Sequence, residues 1–442
     1  MIRLAMRSTA IVTAAVTIAA VIAGAPAAAA PPEGAILPAG TAPVPGSYIV
    51  VLRAGAGGVA ASATKLASTY AGTVGRTFSH ALRGFEVTLG ERAARRLAAN
   101  PAVAYVQHNG MVSIQDTQLN PPSWGLDRID QRNLPLDQSY TYPTTAPTVH
   151  AYVIDTGIRF THTTFGGRAT SGRDTVDNDN DATDCHGHGT HVSGTVGGSQ
   201  YGVAKSVALV GVRVLNCQGS GTTAQVVAGI DWVTANAIKP AVANMSLGGG
   251  ADTAIDNAVV NSIGSGITYG IAAGNGDIFG NRQNACNFSP ARVPEAITVG
   301  ATQINDAAAT FSNFGTCVDI LAPGVNITSS WMTDDNATNT ISGTSMATPH
   351  VVGAAALVLQ DNAGFTPQQV RDALVNNATP NVITNVGTGT PNRLLFVGGG
   401  APPANDFSIS VAPGSGAVTA GGSTTATVST TTTSGSPQTV NL

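Results

Sequence analysis

Val153-Ile154-Asp155-Thr156-Gly157, Gly187-His188-Gly189-Thr190-His191 and Gly343-Thr344-Ser345-Met346-Ala347-Thr348-Pro349-His350 are the segments of this chain whose residues could do chemistry. They offer a carboxylate, an imidazole and a hydroxyl, each among small residues, which is what an activated serine nucleophile needs. Each also has a plainer reading. Asp155 ends an apolar run before Thr-Gly, a common setting for a turn residue. Thr344 or Ser345 could simply cap the helix that follows. His186, His188 and His191 compete for the role of base. His188 and His191 share a helical spacing, but no Glu lies between them as in His-Glu-x-x-His and no third ligand follows, so zinc is not expected. A hydroxyl at a helix start lies beside unpaired N–H groups and the positive end of the dipole, where negative charge is stabilised. Acyl transfer also needs donors aimed at an oxyanion. Ile271-Ala272-Ala273-Gly274-Asn275-Gly276 ends a strand-like run with one amide side chain, Asn275, although Asn-Gly alone reads as a turn.

These groups need a rigid frame. Strand-like apolar runs at 151–154, 208–214, 241–246, 267–272 and 296–299 alternate with helical spacing at 223–238 and 253–263. That alternation predicts an α/β domain with a parallel sheet covered by helices on both faces. Asp155 then stands beyond the carboxyl end of a strand, where ligands bind in open α/β sheets. An earlier set of short runs, at 47–52, 85–89 and 103–106 with helices at 60–70 and 91–100, predicts a separate small α+β unit.

Arg3 and Arg7, an apolar run at 10–23 and Ala28-Ala29-Ala30 have the layout of a secretory signal peptide over 1–30. The apolar run falls short of the roughly 20 residues of a membrane span. A Pro, Ala and Gly-rich linker is expected over 31–46, the small unit over 47–113, the α/β domain over 114–397, and a Gly, Ser and Thr-rich tail over 398–442. The tail holds strand-like runs at 407–411 and 425–428, too little for a sandwich of about 100 residues, and reads either as a disordered extension or as an incomplete β module, the latter favoured. Residues 1–113 carry a net charge of +6 and the remainder −10, so the two parts attract, and without a basic stripe no nucleic-acid partner is expected. Cys185, Cys217, Cys286 and Cys317 are even in number in an exported chain, so disulfides are permitted. Spacing alone does not choose among the three pairings.

The order Asp, His, Ser and the eight-residue Gly-Thr-Ser-Met-Ala-Thr-Pro-His resemble the subtilisin family of serine proteases. Trp124 to Gln131, Ala243-Asn244-Met245-Ser246-Leu247-Gly248-Gly249-Gly250, Asn287-Phe288-Ser289-Pro290-Ala291 and Pro391-Asn392-Arg393-Leu394-Leu395 are similar to its proteinase K branch, nearest its aqualysin-like bacterial members. The resemblance covers 47–397. It implies a three-layer α/β/α subtilisin-like domain, preceded by an inhibitory propeptide that assists folding and is removed. It implies Asp155, His188 and Ser345 as the triad, with His191 structural and His186 exposed. Asn275 and the Ser345 N–H become the oxyanion donors. Substrate edges follow at Gly219-Ser220-Gly221 and Ser246-Leu247-Gly248, with a pocket at Ala272-Ala273-Gly274 for a bulky apolar side chain. In this branch the cysteines pair Cys185 with Cys217 and Cys286 with Cys317.

By the same resemblance calcium is a structural cofactor. One site would use Asp319 with the carbonyls of Pro294 and Ala296, and another Asp127, Asp130, Gln131 and Asp137. The run Asp174, Asp177, Asp179, Asp181 and Asp184 reads either as a third site or as a solvated loop, since it lacks the glycine and terminal Glu of an EF-hand. The expectation is a secreted, monomeric serine endopeptidase acting on polypeptides. It needs no catalytic cofactor, is made as an autoprocessed zymogen, and is free of the membrane after signal removal. An inactive subtilase fold serving in binding or adhesion, or an esterase, are the alternatives.

Overall fold

Burial is broken along the short N-terminal runs and continuous along the strands at 150–155, 241–245, 268–272 and 297–302, and this divides the chain into two kinds of sheet. The structure, a computed structural model, describes residues 32–39, 43–110, 116–277, 279–398, 406–412 and 427–434. The expected leader lies outside these residues, as do residues 113–115, the start of the stretch 113–117 in which the expected small unit gives way to the α/β domain. Two compact units form, one from the residues up to Pro38 with Val44–Asn109, the other mainly from Gly110 onward.

The first unit contains β1 (Ile36–Leu37), β2 (Pro43–Leu52), α1 (Val59–Thr69), β3 (Thr73–Phe78), β4 (Gly84–Thr88), α2 (Glu91–Ala98) and β5 (Val103–Gly110). Its sheet runs β1-β5-β2-β4-β3. Tyr48, Val50, Phe85, Val87, Val103 and Val106 face Ala63, Leu66, Ala94 and Leu97 of the two helices. Two stretches of the expected linker belong to this sheet. Ile36 and Leu37 pair with Val106 and Gln107, and β2 begins at Pro43. The strand β3 gave no apolar alternation, because none of its Thr, Val, Gly, Arg, Thr and Phe side chains is fully buried.

The second unit opens with β6 (Asp116–Leu119), α3 (Trp124–Ile129) and β7 (Ser139–Tyr142). It continues through β8 (His150–Asp155), β9 (Ala169–Asp174), α4 (His188–Gly197), β10 (Ala208–Arg213), α5 (Thr223–Asn236), β11 (Ala241–Met245), β12 (Gly249–Gly250), α6 (Thr253–Gly264) and β13 (Thr268–Ala272). Then come β14 (Phe288–Ser289), β15 (Ile297–Thr302), β16 (Ile320–Pro323), β17 (Ile327–Ser330), β18 (Thr338–Ile341), α7 (Thr344–Asp361), α8 (Pro367–Asn377), β19 (Thr379–Pro380) and β20 (Arg393–Leu394). In the tail, β21 (Asp406–Ala412) and β22 (Thr427–Ser434) pair as an antiparallel hairpin. α5 and α8 each start with a capping box, Thr222 with Gln225 and Thr366 with Gln369, which satisfies backbone groups the first turn leaves open.

The main sheet has nine strands in the order β19-β20-β16-β15-β13-β11-β8-β10-β9, all parallel but for β19. Interior strand β8 shows how it is covered. Ala151 and Val153 pack with Val192 and Val196 of α4 and Val351 and Val352 of α7. Tyr152 and Ile154 pack on the other face with Val226 and Ile230 of α5 and Val259 of α6. Side chains alternate across a strand, so the residue after Ile154 returns to the α4 and α7 face. That residue is Asp155.

Disulfides join Cys185 to Cys217 and Cys286 to Cys317, across 32 and 31 residues. In the chain-entropy view each stabilises by about 3–4 kcal/mol. Replacing Cys185 and Cys217 together by Ser is expected to lower the unfolding free energy by about that amount. Denaturant titration in a Ser345→Ala background, which avoids self-digestion, measures it.

Candidate active site

Asp155 is the last residue of β8, His188 the first of α4 and Ser345 the second of α7. His188 Nδ1 donates to Asp155 Oδ1 at 2.8 Å, and the Thr156 N–H donates to the same oxygen at 2.7 Å. With its proton on Nδ1, the neutral ring presents Nε2 as a base. Close docking of α4 on the end of β8 sets this distance. A Cβ on Gly189 would lie 2.1 Å from the Gly157 carbonyl oxygen, so only glycine permits the approach. Thr156 Oγ1 accepts from the Gly189 N–H at 2.9 Å and donates to Asp184 Oδ1 at 2.9 Å. Buried Asp184 also accepts from the N–H groups of His186, Gly187 and Thr190 and from Thr190 Oγ1. Asp184 therefore holds the first turn of α4, a role its place in the acidic run concealed. Asp174 and Asp177 of that run pair with Arg213 at 2.5 and 2.6 Å, while Asp179 and Asp181 accept backbone N–H groups of their own loop. These contacts explain the run as loop architecture.

Burial opposes charge on the His188 ring, but the Asp155 carboxylate, its hydrogen bond and the charge of Asp184 outweigh it, so the pKa lies above the usual histidine value. His191 has the opposite setting. It is buried, its Nε2 meets the Ile327 carbonyl at 3.0 Å, and burial pushes its pKa down to about 4. His186 is half-buried at the rim, where its Nδ1 accepts from the His188 N–H at 3.4 Å.

Ser345 stands where the first N–H groups of α7 lack partners in the helix. Its Oγ donates to the Ser246 carbonyl at 3.1 Å, and Ser246 Oγ returns a bond to the Ser345 carbonyl at 2.8 Å. That carbonyl is free because Pro349, four residues on and inside the helix, has no N–H to offer it. Asn275 Oδ1 accepts from both the N–H and Oγ1 of Thr344, each at 2.8 Å, which leaves Nδ2 as the end that is free to donate. The residue before the serine thus aims the amide. The sequence reads Thr344 as a candidate helix cap; its tie to Asn275, 69 residues away, carries no local signal.

Two adjoining hollows complete the site. One, of about 530 Å³, is lined by His188, Gly219, Ser220, Gly221, Ser246, Leu247 and Gly248. The other, of about 280 Å³, is lined by Leu247, Gly248, Ala272, Ala273, Gly274, Asn275, Phe288 and Ser345. β12 pairs with β14 beside both, joining Gly249 and Gly250 to Ser289 and Phe288.

The two expected calcium sites differ in their fit. Arg371 places its guanidinium on Asp319 Oδ1, and Thr298 N–H donates to Oδ2 at 2.8 Å, so this carboxylate already has a cation and the set with Pro294 and Ala296 does not suit calcium. At the other, Asp127 accepts from the N–H groups of Asp137 and Gln138, Gln131 Oε1 accepts from Asp137, and Asp130 Oδ1 is buried without a partner. Burial, with the nearby charges of Asp137 and Asp127, pushes Asp130 up to about 7. An uncompensated oxygen among carboxylates fits a cation, although no cluster of three or more His, Cys, Asp or Glu is gathered as a metal site among the described residues. Among the same residues no helix is long and apolar enough to cross a membrane.

Parallel sheet, buried Asp–His pair and a serine at a helix start define an α/β serine hydrolase. The chain belongs to the subtilase family, whose sequence profile matches residues 149–399, and is a serine protease. It is 50% identical over 373 residues to an extracellular serine proteinase of Thermus sp. (strain Rt41A), covering 80% of this chain and 90% of that one. It is 49% identical over 340 residues to alkaline serine exoprotease A of Vibrio alginolyticus, covering 76% of this chain and 62% of the relative. The crystal structure of a cold adapted subtilisin-like serine proteinase superposes with a TM-score of 0.60 at 57% identity, covering 62% of this chain and 97% of that one.

Because Asp155 and Asp184 both favour the imidazolium, His188 followed by NMR in a Ser345→Ala variant should titrate above 6.5. Asp184→Asn should move that titration to lower pH, whereas Asp179→Asn should leave it in place.

Proposed function

We propose that this chain is a secreted serine endopeptidase, made as a zymogen, in which Asp155, His188 and Ser345 act as a relay. The observation that carries this reading is the 2.8 Å bond from His188 to a buried carboxylate, on the sheet face where α7 presents Ser345. For attack, Ser345 Oγ exchanges its bond with the Ser246 carbonyl for one to His188 Nε2. It then adds to the substrate carbonyl carbon as His188 takes the proton, and Asp155 stabilises the imidazolium. Asn275 Nδ2 and the Ser345 N–H receive the oxyanion. As the C–N bond breaks, His188 passes its proton to the leaving amine. A water molecule, deprotonated by His188, then attacks the acyl-enzyme and releases the carboxylic acid and Ser345. Substrate lies extended between Gly219–Gly221 and Ser246–Gly248, with backbone pairing giving affinity and side-chain pockets giving selection. The small residues Ala272, Ala273 and Gly274 leave room for a bulky apolar side chain before the scissile bond.

The signal-like leader, together with a relative named as extracellular, supports secretion. The first unit is read as the chain's own inhibitor. Its basic charge against the acidic remainder and its place ahead of the boundary at 113–117 support this. Calcium, held by Asp127, Asp130, Gln131 and Asp137, would supply charge compensation and stiffness to the loop after α3.

Three expectations test the reading. A serine-directed phosphonate labels the processed protein at Ser345, and absence of label on folded enzyme speaks for a dead fold. Intact mass and N-terminal sequencing should find wild type beginning near Thr117 and Ser345→Ala retaining the first unit; equal trimming of both would assign the cut to another protease. Added calcium should raise the melting temperature, as any ligand selective for the native state does, and Asp130→Asn should abolish that rise.

A further inference from the structure

We infer that Asn313 is a positioning residue for the oxyanion hole, acting through the backbone on either side of Asn275. This rests on the reading of Asn275 as the side-chain donor. Thr344 fixes the end of the Asn275 side chain and accepts the Gly274 N–H at 3.1 Å, which leaves the Ala273 carbonyl and the Gly276 N–H on either side to be held by another group. Asn313 lies 38 residues away in sequence, in the loop after β15, and is 2% exposed. Its Nδ2 donates to the Ala273 carbonyl at 2.9 Å, and its Oδ1 accepts from the N–H of Gly276 at 3.0 Å and of Gln283 at 2.9 Å. Its own N–H donates to the Gly274 carbonyl at 2.9 Å. The residues on both sides of Asn275 are therefore bonded to one buried amide.

The chemistry asks for this residue type. The clamp needs a donor and an acceptor at fixed separation on a short stem, which Asn alone supplies here. Asp would set a second acceptor against the Ala273 carbonyl, and Ser has no second polar atom. The fit is tight, since a Cβ on Gly274, whose φ is +99°, would lie 2.5 Å from Asn313 Nδ2. A buried polar side chain that bonds the backbone both before and after Asn275 is well placed to hold it to the small tolerance that oxyanion stabilisation requires. Misplacement by about 1 Å can cost on the order of 100-fold in rate.

The test uses processed enzyme with Asn313→Asp, which keeps volume and the acceptor side, and Asn313→Ser, alone and combined with Asn275→Ala. A chromogenic peptide amide gives kcat and KM. A peptide aldehyde, which forms a tetrahedral oxyanion, and the matching product acid, which does not, give affinities. The expected result is a fall in kcat of about 10- to 100-fold with KM within about threefold, a parallel loss of aldehyde affinity and unchanged product affinity. In the Asn275→Ala background, the Asn313 substitutions should cost less than about threefold more, because the group they aim is gone. Val233→Ala, in α5, serves as a control of comparable destabilisation with kcat retained. The inference is overturned if the two losses multiply, if the loss lies in KM, or if a folded Asn313→Asp keeps its kcat. If Asn275→Ala itself costs less than about threefold, the reading of Asn275 fails and takes this inference with it.

Discussion

A buried carboxylate tied to a histidine ring is the constraint around which the second unit is built. An unpaired ionised carboxylate in a protein interior is strongly unfavourable, so Asp155 requires donors fixed in place before any substrate arrives. Two are supplied, by Thr156 and by His188. Holding them takes a strand that does not move and a helix pressed against its end. β8 meets the first need, with β10 and β11 paired on its two sides. The chain goes on to β9 and β10 on one side of β8, and to β11, β13, β15 and β16 on the other. The crevice where strand order reverses is the usual ligand site of an open α/β sheet.

Histidine shows how far position decides chemistry. His188, His191 and His350 share one side chain and one intrinsic proton affinity, and they diverge because their surroundings differ. Two carboxylates face the first, whereas burial holds the other two at about 4. Those two are neutral packing groups that meet backbone carbonyls, Ile327 for one and Met346 for the other. Arg371 makes a similar point from the other side of the charge ledger: a guanidinium can stand at a carboxylate where a bound ion was expected.

Much of the frame could be read from the chain because parallel strands buried on both faces leave continuous apolar runs. The runs at 151–154, 208–214 and 241–246 became β8, β10 and β11 with ends moved by a residue or two. The helices at 223–238 and 253–263 became α5 and α6. What escaped was whatever has no local pattern. β3 and β9 carry little buried surface, and β1 has only two residues. Thr344 and Asn313 matter through partners far along the chain, and Asp184 through Thr156 and the backbone of the turn that follows it, so neither spacing nor composition marks them. Cysteine spacing left three pairings open, and contact geometry closed that choice. The acidic run looked like a candidate for cations because sequence does not show that Arg213 and backbone N–H groups already meet its charges.

Pro349 deserves a mechanical reading. By withdrawing one rung from the start of α7, it frees the Ser345 carbonyl to reach sideways, and Ser246 answers with a reciprocal tie. The Ser345 residue and the Ser246–Gly248 side of the groove are consequently tied by two hydrogen bonds. The opposite rim, at Gly219–Gly221, closes instead on its own turn through Asn216. Under the proposed reading, a bound peptide therefore meets one bank bonded to the serine and another closed on its own turn.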